Sequence, residues 1–257
     1  MQERAALLSV ERRSAILELL AREGKVVAAR LVEDLGVSED TVRRDLRELA
    51  AQGLVQRVHG GALPPAPRHG SFARRRETSA AAKASLAAAA VKLLGPASVI
   101  LLDGSTTNLE VARRLPDGPA RTVLTNSPPI AAALADHPTA EVVMIGGRLR
   151  KEAQVTVGAA AIDFIRSVRV DACVLGVCAI HPEAGVSTDD LAEADVKRAM
   201  VHAAADVIAL ATSDKLHSGS PYVVAPVAEL THLVVESGAP DELLDPYRAA
   251  GVTVTRA

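Results

Sequence analysis

The sequence predicts an α/β chain with a small N-terminal winged helix-turn-helix domain and a C-terminal mostly parallel sheet covered by helices. Three observations predict it. The first sixty residues carry three short helical patterns, each stopped by a glycine, followed by a hairpin pattern. Beyond residue 79, near-continuous apolar strand runs alternate with helical patterns, as in a parallel sheet buried on both faces. Charge is also divided. Residues 1–76 hold 14 Lys and Arg against 10 Asp and Glu, and residues 77–257 hold 15 against 21, within a formal net charge of −2. A basic head on an acidic body directs a polyanion to the head. The expected boundaries are 1–63 for the head, 64–78 for a linker and 79–257 for the body.

In "LSVERRSAILELLAREG", Ile16, Leu19 and Leu20 fall at helical spacing and Gly24 is a stop. "AARLVEDLG" repeats this with Leu31, Leu35 and Gly36. In "VSEDTVRRDLRELAAQG", Ser38 suits an N-cap, Glu39 and Asp40 a first turn, and Gly53 a stop. Val42, Leu46 and Leu49 face inward, so at about 100° per residue Arg44 points away from the core, with Arg47 near it and Thr41 and Arg43 on its flanks. "LVQRVHGGAL" alternates and ends in a Gly-Gly turn, as a β-wing does. The third helix of such a unit enters the major groove of double-stranded DNA, where an arginine fork pairs with guanine or phosphate. Arg43, Arg44 and Arg47 are therefore expected to face DNA.

The linker "LPPAPRHGSFARRRE" carries three prolines and no helical pattern, and reads as semi-extended. Arg74, Arg75 and Arg76 read as a solvated charge run, with backbone phosphate contact as the second reading.

In the body a helix runs from Ser79 to about Leu94, followed by the strand "SVILLD", the loop "GSTTN" and the helix "LEVARRL". "RTVLTN", "AEVVMIGG", "DACVLGV", "DVIALAT", "THLVVES" and "VTVTR" supply further strands; helices lie between most of them. Ligands of such sheets sit beyond the carboxyl ends of the strands. Those ends carry Asp103-Gly104-Ser105-Thr106-Thr107, Thr125-Asn126, Gly146-Gly147-Arg148, and Thr212 to Lys215. Small residues admit a ligand to the backbone, hydroxyls suit an anionic oxygen, and Arg148 and Lys215 offer counter-charge. The pattern points to a pocket for a small phosphorylated polyol.

Composition excludes several classes. The chain is 49% hydrophobic and 23% charged, as a globular protein is, and no apolar run is long enough to span a bilayer. The first twenty residues make a poor signal peptide, so a cytoplasmic location and no membrane partner are expected. No G-x-x-x-x-G-K-[ST] and no strand-linked G-x-G-x-x-G is present, so no cofactor is expected. The seven histidines form no HxxxH, there is no CxxC, and no metal site is expected. Cys173 and Cys178 read as buried and inert, with a redox pair as the weaker alternative.

The run "VSEDTVRRDLRELAAQGLVQRVHGGA" closely resembles the N-terminal signature of the DeoR family of bacterial transcriptional regulators. The resemblance implies that Ser38, Thr41, Arg43 and Arg44 contact DNA and that Arg57, His59 and the Gly60-Gly61 turn form the wing. The family caps its second helix with Ser or Thr, where this chain has Val27; losing the cap costs about 1 kcal/mol. Phe72 and Arg75 match an F-x-x-R element between head and effector domain, and Phe72 is expected to anchor the linker. The body resembles the family's effector domain, which is similar to sugar-phosphate isomerases. The family's D-x-G-T-T is matched by Asp103, Ser105, Thr106 and Thr107, its T-N by Thr125-Asn126, its G-G-x-x-R by Gly146-Gly147 and Arg150, and its K-R-A-M by Lys197 to Met200. Its D-S-S-K reads Thr212 to Lys215 here, and its T-D after the late strand reads Glu236-Ser237.

These readings lead to a homo-oligomeric, non-catalytic repressor of a carbohydrate-metabolism operon, released from operator DNA by a phosphorylated sugar or polyol. An isomerase is the alternative, with Asp103, Asp189, Asp190 or Glu193 as base and Lys197 or Lys215 as electrophile. A regulator sensing redox state through Cys173 and Cys178 is another.

Overall fold

The computed structural model describes residues 8–67 and 70–257. The head is built from α1 (Ser9–Glu23), β1 (Val26–Val27), α2 (Ala28–Leu35), α3 (Glu39–Ala51), β2 (Gln56–Val58) and β3 (Gly61–Leu63). Its strands form a three-stranded sheet in the order β1-β3-β2. Ile16, Leu20, Leu31, Val42, Leu46 and Leu49 are buried in one core with the strand residues Val26 and Ala62. The apolar spacing of the three helices thus delivers the expected packing.

The side-chain cap missing from α2 is partly made good by the wing. Val27 stands at the N-cap with no side-chain bond, but the amide of Ala28 donates to the carbonyl oxygen of Gly60 at 2.7 Å. One orphan donor of the helix start is thereby satisfied by the hairpin turn.

The segment expected to be semi-extended contains a helix, α4 (Phe72–Glu77). Ser71 caps it by accepting from the amide of Arg74 at 3.4 Å, and the residues that follow are free of proline and glycine. Phe72 is buried beneath α5 (Ala80–Leu94) and α6 (Thr106–Ala112), and its amide donates to the carbonyl of Glu152 at 3.0 Å. Ser79, in the left-handed region at φ 53°, turns the chain from α4 into α5.

The body continues with β4 (Val99–Leu102), β5 (Arg121–Thr125), α7 (Pro128–Leu134), β6 (Ala140–Met144), β7 (Arg148–Arg150), β8 (Val155–Val157), α8 (Ala159–Arg166) and β9 (Val170–Gly176). After these come β10 (Ala179–His181), β11 (Gly185–Thr188), α9 (Leu191–Ala203), β12 (Ala204–Ala211), β13 (Tyr222–Ala225), β14 (His232–Val235), α10 (Asp241–Ala249) and β15 (Thr253–Arg256). The strands expected from the sequence form one seven-stranded sheet, β15-β14-β12-β9-β4-β5-β6, with every pairing parallel. Separate apolar clusters cover its two faces. The order reverses between β4 and β9, so this is a doubly wound sheet with its switch point there. A β7–β8 hairpin and a small antiparallel sheet, β10-β11-β13, are additions that the apolar periodicity did not announce.

Candidate DNA-contacting face and ligand cavity

On α3, Val42, Leu46 and Leu49 are buried, while Arg43, Arg44 and Arg47 are exposed. Ser38 Oγ accepts from the amide of Thr41 at 3.3 Å and lies 2.9 Å from Thr41 Oγ1. Arg43 pairs with Glu39 at 2.6 Å and Arg44 with Glu48 at 3.2 Å, one turn apart on the helix surface. Such pairs contribute roughly 0.3–0.5 kcal/mol, so exchanging them for phosphate or a base edge costs little. Arg57 and His59 are exposed on β2 and at the wing tip. Gly60 adopts φ +79° in that turn, and a Cβ on Gly61 would run into the carbonyl oxygen of Val26.

The sequence reading missed Asp45, which is buried on the inner face of α3. The Arg12 guanidinium on α1 reaches it through Nε and through Nη2, the latter at 3.1 Å from Oδ1. Asp45 falls three residues after Val42 and one before Leu46, inside the apolar stripe. An acid at a stripe position with a basic pair on the neighbouring helix was the available signal.

In the body a cavity of about 670 Å³ lies at the switch point. Its walls include the end of β4 (Gly104, Ser105, Thr106, Thr107), the end of β9 (Gly176 to Cys178) and the end of β12 (Thr212, Asp214, Lys215). Close approach of the first two ends depends on Gly176, where a Cβ would stand 2.8 Å from Ser105 Cβ and 2.9 Å from Asp103 Oδ2.

Asp103 lies beneath the cavity rather than in its wall. It forms a buried ion pair with Lys197 of α9, and its Oδ2 accepts from the amide of Gly176 at 2.8 Å. Lys197 also donates to the Gly176 carbonyl at 2.9 Å. Burial works against the charge of Lys197, but Asp103 chiefly, with Cys178 and Glu193, overcomes it and holds the ammonium above its ordinary range. Ser105 caps α6 by accepting from the amide of Asn108 at 2.9 Å, so that helix begins inside the stretch expected to be loop.

Thr125 and Asn126 are fully buried and do not line the cavity. Thr125 Oγ1 donates to the Leu102 carbonyl at 2.7 Å, and Asn126 Oδ1 accepts from the amide of Gly104 at 3.0 Å. They shape the β4 loop from behind. Gly146, Gly147 and Arg148 are exposed and also lie outside the cavity wall. The reason is topological. β5 and β6 lie to one side of the switch point, and the β7–β8 hairpin covers their ends, with Thr156 donating to Asn126 and Ile145 carbonyls at 2.7 and 2.6 Å. From that hairpin Arg150, not Arg148, reaches the cavity, pairing with Glu193 at 2.6 Å and Asp190 at 3.2 Å.

Lys83 of α5 and Arg75 of α4 also line the cavity. Lys83 donates to the Arg75 carbonyl and, at 2.7 Å, to that of Thr78. Burial first, then the positive charges of Lys215 and Arg75, push its pKa down to about 8. Lys215 is likewise lowered, mainly by burial. A single lysine in the otherwise small and apolar run "SAAAKASLAAAA" was the signal for Lys83.

The cavity also touches the head and linker through Gln56, Pro65 and Gly70. The body loop after Lys215 is tied to the linker by main-chain bonds, Ala66 amide to Gly219 carbonyl at 2.8 Å and Gly219 amide to Pro64 carbonyl at 2.9 Å. Lys25 of the head pairs with Glu183 of the body at 2.6 Å. Both cysteines are free; Cys173 is buried, and burial raises its thiol pKa. Among the described residues no helix is long and apolar enough to cross a membrane.

A winged helix with an exposed arginine face, joined to a doubly wound domain with a cavity at its switch point, defines a DNA-binding transcriptional regulator with a sensor domain. Comparison with known proteins agrees. Residues 12–67 match the family model for the DeoR-like helix-turn-helix domain, and residues 78–237 match that for the DeoR C terminal sensor domain. The chain belongs to the DeoR family of transcriptional regulators. It is 34% identical to the HTH-type transcriptional regulator GlpR of Haloferax volcanii over 96% of this chain and 98% of that one. It is 32% identical to the glycerol-3-phosphate regulon repressor of Escherichia coli, over 74% of this chain and 76% of that one. The full-length sorbitol operon regulator SorC from Klebsiella pneumoniae covers 94% of this chain and 99% of its own, at 13% identity and a TM-score of 0.42.

Proposed function

We propose that this chain is a non-catalytic, homo-oligomeric repressor of a carbohydrate-metabolism operon, acting in the cytoplasm and released from its operator by a phosphorylated sugar or polyol. Ser38, Thr41, Arg43, Arg44 and Arg47 meet the major groove, with Arg57 and His59 on the wing. Gly104 to Thr107 and Lys215 contact the effector, over a floor set by Asp103. Two heads address half-sites about one helical turn apart, or a multiple of it. The observation that carries this reading is the composition of the cavity wall, which draws on head, linker and body together. A ligand seated there prefers one placement of the head over another, which is what allosteric release requires. The relative that is a glycerol-3-phosphate regulon repressor supports a small phosphorylated effector.

An isomerase needs a carboxylate free to take a proton. Asp103 is committed to Lys197, while Asp190 and Glu193 are committed to Arg150. Asp189 is exposed at the cavity. A thermal-shift screen of the whole chain against phosphorylated sugars and polyols, with the free sugars as controls, tests the reading. A ligand that binds only the folded state raises the melting temperature by mass action. The expected result is a rise with a phosphorylated compound, none with its free sugar, and weakened operator binding in its presence. No response across the phosphorylated panel refutes the effector assignment.

A further inference from the structure

Three consecutive arginines stand in α4, and the helix treats them differently. Arg74 and Arg76 are exposed, whereas Arg75 is half-buried and lines the cavity. The helix period explains this, because Arg75 lies three residues after the buried anchor Phe72 and so shares its inward face. The Arg75 guanidinium lies over the Phe72 ring, 5.8 Å from its centroid, and donates through Nη1 to the Gly70 carbonyl at 3.0 Å. The side chain is therefore held by its own helix and its own cap region. One carbonyl engages only part of a guanidinium with five N–H donors.

Among the described residues, four further cations share the cavity wall; Arg150 and Lys197 are paired with Glu193 and Asp103, which leaves Lys83 and Lys215. Lys83 is almost fully buried, with its ammonium on the last carbonyls of α4. Lys215 is half-buried; burial opposes its charge and outweighs Cys178 and Asp214, which favour it. Arg75 and Lys215 both oppose the charge on Lys83, while Asp214 and Glu110 favour it more weakly. Asp189, Glu193 and Asp214 also line the cavity, but Lys215 and Arg75 oppose the Lys83 charge more than Asp214 supports it; a compact dianion placed between the three cations relieves that repulsion.

We propose that Arg75 is a ligand-binding residue and that, with Lys83 and Lys215, it forms a three-cation cradle for a phosphoryl dianion. The ligand is then gripped by the linker and the body at once, and the group that distinguishes a sugar phosphate from a free sugar is the group that touches the linker. This rests on reading the cavity as an effector site. It differs from the strand-end pattern of the sequence, which places the anion on the β4 loop and leaves Arg75 in solvent.

The test is calorimetric titration of the full chain with inorganic phosphate at constant ionic strength, comparing wild type with Arg75→Gln, Arg75→Lys and Arg74→Gln. The expected result is that Arg75→Gln weakens phosphate binding by about tenfold or more, that Arg75→Lys restores part of it, and that Arg74→Gln changes it by less than about threefold. Equal weakening by Arg74→Gln and Arg75→Gln would reduce Arg75 to a diffuse positive field and overturn the proposal. So would an unchanged affinity in Arg75→Gln, or a wild type that ignores phosphate while Arg75→Gln still binds a phosphorylated sugar normally; in these cases the effector reading stands. A wild type that ignores phosphate and every phosphorylated compound overturns both. If Arg75→Gln does not fold, Arg75→Lys decides: phosphate affinity reduced from wild type supports the assignment, and wild-type affinity removes the guanidinium from contact with the anion and overturns it.

Discussion

Among the described residues, one buried ion pair in the head and one in the body do different work. In the head, Arg12 and Asp45 join α1 to α3 on the side away from the arginine face. In the body, Asp103 and Lys197 join the end of β4 to α9 at the floor of the cavity, which Lys197 lines, and both also bond Gly176. Taking charge out of water is expensive, and a hydrophobic pair of similar volume is often as stable. The head pair fixes the register of two helices so that a surface is presented outward. The body pair fixes two strand ends at the distance a ligand needs. The same interaction serves orientation in one region and cavity shape in the other.

The comparison is broken most severely at Lys197. Lys197→Met leaves the Asp103 carboxylate buried without its partner, and the expected loss is about 3–5 kcal/mol of stability. Denaturant unfolding measures it, and a loss below about 1 kcal/mol would mean that water enters the site. Asp45→Ala strands the less deeply buried Arg12 and should cost about 2 kcal/mol. It should abolish operator binding while phosphate titration of the body stays unchanged. Weakened phosphate binding in this variant would show that the two regions are not separable in this way.

Arg44→Ala sharpens the comparison from the surface side. Its pair with Glu48 is exposed, so folding stability should hold within about 0.5 kcal/mol. Operator affinity should fall by roughly 1–3 kcal/mol with relaxed base preference, read by fluorescence anisotropy against altered operators. Wild-type affinity would remove Arg44 from the interface.

The smallest expected effect is a pH dependence confined to the cavity. Lys83 has its pKa pushed down to about 8 in the folded chain by burial first, then by Lys215 and Arg75, with Asp214 and Glu110 opposing the shift. Its folded pKa lies below its unfolded value of 10.5. Between those values the unfolded chain therefore binds more protons, and stability rises with pH across that window. A bound dianion favours the protonated amine, so phosphate affinity should fall by up to about tenfold from pH 7 to pH 9. Operator affinity at constant salt should not follow that curve. Flat phosphate affinity across the range would place Lys83 out of contact with the anion.

The helices of the head and the parallel strands of the body were legible because each is specified by a local period. Val42, Leu46 and Leu49 mark one face at helical spacing, and "SVILLD" and "DVIALAT" are apolar runs too short for buried helices and so read as buried strands. α4 was hidden by the prolines before it, since Ser71 begins a new helix once they end. About half of the residues expected to meet the effector lie outside the cavity wall, for a different reason. The sequence shows which residues follow strands, but not which strands flank the switch point. Thr125, Asn126 and Gly146 to Arg148 follow β5 and β6, beyond β4 from the switch point. Arg75, Lys83 and Arg150 come from two helices and a hairpin; the family resemblance picks out Arg75 and Arg150, but only the assembled chain brings the three to one cavity.

The joint at Gly219 has a consequence for how this molecule diverges. Its two bonds to Pro64 and Ala66 run entirely between main-chain atoms. Substitutions in Thr212 to Lys215, four residues or more upstream, can re-line the cavity for a different anion without touching the atoms that fasten the body to the linker. Such a chain can acquire a new inducer by drift in one loop while keeping an inherited mechanical connection, so the chemical signal and the device that relays it evolve on separate clocks.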